Sequence, residues 1–167
     1  MIIRILFVIF QVLVLYILQT SVFTSFALAG VVPDLLIILV VSVAFMRGRT
    51  PAVLTGLLCG LMIDFTYADF IGLFAIMYMT VGYLAGFTHR IYDEDDYTIP
   101  LIMVGSAELF YNLLYFILFY FFSGKLNIGY YLVHFMFPRV IYTVLVSIVL
   151  YRLLNLCNVY FMRFDRD

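Results

Sequence analysis

The chain has 167 residues, of which 66% are hydrophobic and 11% charged, and its formal net charge is -1. Soluble domains average about 45–50% apolar and about 25% charged residues, so charges this sparse cannot cover a water-facing surface, and the mean hydropathy of +1.16 assigns the chain to the lipid bilayer. No cluster of Lys or Arg is present to neutralise a phosphate backbone, which excludes nucleic-acid binding.

Six apolar runs follow one another, and the expected fold is a single transmembrane domain over 1–167, an all-α integral membrane protein with six helices. The first span covers about 3–26, behind Arg4, with Gln11 and Gln19 inside it. Ala27-Leu-Ala29 resembles a signal-peptidase site, but the run before it is long for a cleavage region and more spans follow, so the span reads as a retained anchor. The second span, 32–46, opens on Pro33 and Asp34. Proline suits the first helical position, and a carboxylate in the first turn suits the positive end of the helix dipole. After Arg47-Gly-Arg49, the third span runs over 51–67. Both are shorter than the roughly 20 residues of a straight crossing. A re-entrant hairpin would leave Arg47 and Arg49 at mid-depth at a cost of about 3 kcal/mol each, so two short crossings with local thinning are expected. Spans four, five and six cover 70–87, 99–122 and 130–154.

The third span carries Ala52, Gly56, Gly60 and Asp64 four residues apart, on one helical face. Such a stripe lets helices approach closely in lipid, so this span is expected to be the inner helix of the bundle. Gly82, Gly86 and Tyr78 give the fourth span a similar face, and Gly72 opens that span. Cys59 and Cys157 lie in or beside apolar runs and read as small buried thiols. Asp64 and Asp69 flank a turn; with no third oxygen donor they read as helix-end groups, and no metal site is expected. The loop 93–96, Asp-Glu-Asp-Asp, reads as a solvated segment with a docking site as the alternative.

Polar residues inside the spans narrow the candidates. Glu108 and Asn112 share a face of the fifth span, and Arg139 follows Pro138 in the sixth at a similar depth. An isolated charge there is costly, so Arg139 is expected to pair with Glu108, with Asn112 beside them. The pair either fixes helix register or serves a transport or proton-relay role. The fifth span is also unusually aromatic, and Phe110, Tyr115, Phe116 and Phe119 are the expected partner-binding face. No catalytic motif is present, so the chain is not expected to be an enzyme and no cofactor is implied. The basic residues Arg4, Arg47, Arg49, Arg90, Arg152, Arg163 and Arg166 fall on one side of a six-crossing topology, which makes that side cytoplasmic, with both termini.

Taken together, Val32-Pro-Asp-Leu-Leu-Ile-Ile-Leu-Val-Val41, Arg47-Gly-Arg49, Gly56-Leu-Leu-Cys-Gly-Leu-Met-Ile-Asp64, Gly72 and Gly82-Tyr-Leu-Ala-Gly86 resemble the rod shape-determining protein MreD family, and Glu108 and Pro138 fit the same run. The resemblance implies a bacterial inner-membrane scaffold of wall elongation that binds MreC and works with MreB, RodA and a class B penicillin-binding protein. It implies a fold similar to the substrate-binding subunits of energy-coupling-factor vitamin transporters. Such a subunit is itself the alternative reading. Those subunits resemble one another in an Ala-xxx-Ala stripe on the first helix, and the run Ile5–Gln19 contains no alanine, which favours the scaffold.

Overall fold

The helix Leu35–Arg47, α2, is the centre of the molecule, and every side chain from Leu35 to Met46 is buried. It is apolar all round, and a helix with no polar face is stable only when packed on every side. The computed structural model describes residues 2–27, 30–67, 71–91, 97–121 and 127–164. Among these, α2 is surrounded by α1 (2–25), α3 (Arg49–Tyr67), α4 (Leu73–Ala85, continued by a tight turn Gly86–Ile91), α5 (98–121) and α6 (128–164). The acidic loop 93–96, Asp69 and Lys125 lie outside the described residues.

Four of these helices are long and apolar enough to cross a membrane: Ile5–Ser25, Arg49–Tyr67, Thr98–Tyr120 and Gly129–Tyr160. The helix α2, with 13 residues, is about 20 Å long at 1.5 Å per residue, and α4 is equally short. The last helix runs to Phe164, beyond the expected end near 154. Leu154, Asn155 and Asn158 are buried there, and Asn158 Oδ1 accepts a 2.8 Å hydrogen bond from Arg47 Nε. This packing against the end of α2 gives the helix a reason to continue.

The expectation that the third span is the inner helix is corrected. α3 lies one layer out, with Leu54 and Phe65 exposed, and its small-residue face is turned onto α4. A methyl group on Gly60 would sit 2.3 Å from Ala75 Cα, and one on Gly56 would sit 2.5 Å from the carbonyl oxygen of Tyr78. From the other side, Gly82 meets the Ala52 carbonyl and Gly86 meets the backbone and side chain of Arg49. The two backbones touch, which is how small faces hold helices together where burial from water gives no drive. The α2–α3 reversal turns on Gly48 alone, with φ +90°, a region disfavoured for residues carrying a Cβ.

The helices alternate between two ends. Arg47, Asn158 and His89, whose Nδ1 lies 2.8 Å from the Phe45 carbonyl oxygen, gather at one. The Arg49 guanidinium lies there too, 3.5 Å above the Phe87 ring. At the other end the Tyr16 and Thr66 hydroxyls are bonded, and Tyr142 donates to the Phe26 carbonyl at 3.0 Å. At that second end, α1, α5 and α6 each contain a widened turn, at Leu18–Val22, Phe116–Phe121 and Leu132–Met136.

Candidate functional site

Asp34 is the hub of a buried polar cluster. Its backbone, at φ -90° and ψ 89°, is not yet helical, and its Oδ1 accepts from the Ile37 amide at 3.0 Å. Pro33 therefore precedes the helix and Asp34 caps it, so the helix begins at Leu35, two positions after the expected first helical residue Pro33. The cap wins because an aspartate there satisfies an amide that would otherwise have no partner. The side chain is fully buried, and its oxygens also take the Tyr78 hydroxyl, at 2.9 and 2.7 Å. Oδ2 accepts from Arg139 NH2 at 2.9 Å. The Asp34 amide in turn donates to Thr143 Oγ1 at 3.1 Å. One aspartate thus ties α2 to α4 and α6.

Arg139 carries the cluster on to α5. Its Nε lies 3.0 Å from Glu108 Oε1, an ion pair whose N–H does not point straight at the oxygen, so that Nε lacks a well-directed hydrogen bond. Asn112 Nδ2 donates to the same Oε1 at 3.0 Å and to the Glu108 carbonyl at 2.8 Å. The guanidinium lies 5.6 Å from the Tyr111 ring centroid, and the Tyr111 and Tyr78 rings are 5.1 Å apart. The structure therefore brings Glu108, Asn112 and Arg139 together and adds Asp34, Tyr78 and Tyr111, which the sequence reading left outside. Asp34 could have been found from length: a 13-residue helix is some 10 Å too short for a core of about 30 Å, so the acid at its start falls within the apolar depth and requires a partner.

Asp64 performs a related task at the start of α4. Its two oxygens accept from the Phe74 and Ala75 amides, both at 3.0 Å. Gly72, with φ +112°, precedes that helix. Asp34 and Asp64 thus cap the two short helices, supplying acceptors where lipid supplies none. Gln19 Oε1 adds a bond from the Leu36 amide at 3.3 Å.

The expected partner face on the fifth span is turned inward. Phe116 is buried against Tyr131, with centroids 5.2 Å apart. Phe119 stacks on Phe74 at 5.6 Å and on Tyr115 at 4.6 Å, and Phe110 packs half-buried against the core. Aromatic residues on every side of a helix do not reveal which side faces in; the outward side of α5 is instead aliphatic, with Ile102, Leu109, Leu113 and Ile117 exposed.

Above the cluster lies a cavity of about 480 Å³, open at the end opposite Arg47 and Arg49. Arg139, Asn112 and Tyr111 form its floor, and tyrosine and phenylalanine rings from α1, α3, α5 and α6 form much of its wall. The Arg139 side chain is 26% exposed, whereas those of Asp34 and Glu108 are fully buried behind it.

No curated protein and no solved structure matches the chain. The family model described as rod shape-determining protein MreD matches residues 1–160. That family acts in rod-shape determination, is a membrane family, and is not a known enzyme family. With the match covering nearly the whole sequence, the chain belongs to the rod shape-determining protein MreD family.

Proposed function

We propose that this protein is a non-enzymatic scaffold of the wall-elongation complex, crossing the membrane six times with both termini in the cytoplasm and binding MreC through the outer faces of its helices. MreB, RodA and a class B penicillin-binding protein complete the assembly in this reading. The observation that carries it is the division of labour between inside and outside. Asp34, Asp64, Glu108 and Arg139 are engaged with one another and with helix ends. The outer surface is a display of large apolar side chains. The helix α1 is the most outward element: among its described side chains Val12 and Leu15 alone are buried within Ile2–Ile17, while Ile5, Leu6, Phe10 and Ile17 are exposed. In lipid, a face of this kind recognises a partner helix by shape. The α1 face replaces the inward-turned aromatic face of α5 as the contact surface.

The test is gentle detergent purification of the tagged protein at native expression, with mass spectrometry of what accompanies it. Co-purification of MreC, lost on Phe10→Ala combined with Ile17→Ala, is the expected result. Recovery of the protein without MreC, or with a transporter's ATPases in its place, rejects the scaffold.

A further inference from the structure

We infer that the cavity over Arg139 is a binding site for a small uncharged amphiphile, with an oxygen-bearing head held at Arg139 and Asn112 and an apolar body held between the aromatic walls. This goes beyond the scaffold reading and does not rest on it.

Size and position come first. The volume, about 480 Å³, lies within the range of roughly 300–1,000 Å³ typical of small-molecule sites, and aromatic walls with a few convergent polar groups are typical of such sites. A second observation comes from the backbone. Each of the three widened helical turns supplies wall residues: Gln19 and Thr20 from the first, Tyr120 from the second, Phe135 from the third. A widened turn disturbs the regular backbone bonding that lipid demands, and such turns concentrate at functional sites. Here all three surround one space.

The charge of the ligand follows from the floor. Arg139 offers the cavity the remaining N–H groups of its guanidinium, since Nε faces Glu108 and NH2 faces Asp34. Donors of this kind require an oxygen or nitrogen acceptor. A cationic head would meet the guanidinium directly. An anionic head would meet a guanidinium already matched by two carboxylates about 3 Å away, in a medium of low dielectric where that repulsion is strong. A neutral head bearing hydroxyl or carbonyl groups uses the donors and adds no charge. Among the described residues Asn112 Oδ1 is held only by a long 3.5 Å contact from the Tyr131 hydroxyl, and it is available to receive a hydroxyl of the same head.

The experiment uses the full chain in detergent and three probes that share a ten-carbon tail: monodecanoylglycerol, decanoate and decyltrimethylammonium, each below its micelle concentration. The sequence contains no tryptophan, so Phe135→Trp places a single emission reporter on the cavity wall, and thermal unfolding of the unmodified chain gives a second readout. The expected result is a saturable change with monodecanoylglycerol at a concentration at least ten-fold lower than with either charged probe. Thr20→Phe, which narrows the cavity, is expected to weaken that response at least ten-fold. Equal or tighter binding of decanoate or decyltrimethylammonium overturns the neutral class. An unsaturable response to all three probes, or an undiminished response in a folded Thr20→Phe protein, overturns the site itself. If Thr20→Phe does not fold, the same decision is made by whether excess monodecanoylglycerol shifts the Phe135→Trp emission saturably.

Discussion

Two regions of this bundle are built from similar apolar sequence and reach opposite packing. Along the α3–α4 seam the two helices touch backbone to backbone through Gly56, Gly60, Gly82 and Gly86. At the end opposite Arg47 and Arg49, widened turns in α1, α5 and α6 and a ring of tyrosines hold the helices around a cavity with a charged floor. The difference shows that helix association in an apolar chain is decided by local side-chain size. Glycine permits contact, and large rings with polar edges keep helices apart unless a polar cluster binds them. Asp34, Arg139 and Glu108 form that cluster at the boundary between the two regions.

The largest expected effect lies at this boundary. Arg139→Met leaves two buried carboxylates without a cation, and removing one partner of a buried ion pair costs about 3–5 kcal/mol. Unfolding in mild detergent against a denaturing detergent measures it. Adding Glu108→Gln should recover part of the loss; a double variant as unstable as the sum of the two singles would break the proposed pairing. In the tight seam, Gly60→Ala places a methyl group 2.3 Å from Ala75 Cα, where no flexible side chain can yield. A cost of about 3 kcal/mol is expected, at the upper end of overpacking effects. Tyr78→Phe removes the hydroxyl donated to Asp34 and should cost about 2 kcal/mol, as for hydrogen bonds to charged groups. Gly129→Ala sharpens the contrast from the open side. Nothing lies within 4 Å of the added methyl, so the change should stay within about 0.5 kcal/mol. A Gly129→Ala protein as damaged as Gly60→Ala would remove the distinction between the two regions.

Much of this was legible in the residues. Long apolar runs place the four long helices, because composition alone sets what can enter lipid. The face of Ala52, Gly56, Gly60 and Asp64 is readable from its spacing, and so is the proximity of Glu108, Asn112 and Arg139. Three things were not readable. A helix apolar on every side gives no periodicity, so nothing in Leu35–Arg47 announces that it is the centre. For the same reason the aromatic residues of α5 could not be assigned an inward or outward direction. The cavity depends on turns that widen by one residue, and neither glycine nor proline marks Leu18–Val22 or Phe116–Phe121.

The central claim is that a carboxylate at the start of the buried α2 and a guanidinium on α6 hold these helices together inside the bilayer. A double-mutant cycle on Asp34→Asn and Arg139→Met, read as unfolding free energy in detergent, tests it most directly. The account predicts a coupling of about 1–3 kcal/mol between the two positions, as for residues in one hydrogen-bonded network. Additivity of the two changes within about 0.5 kcal/mol, the behaviour of distant sites, would contradict it.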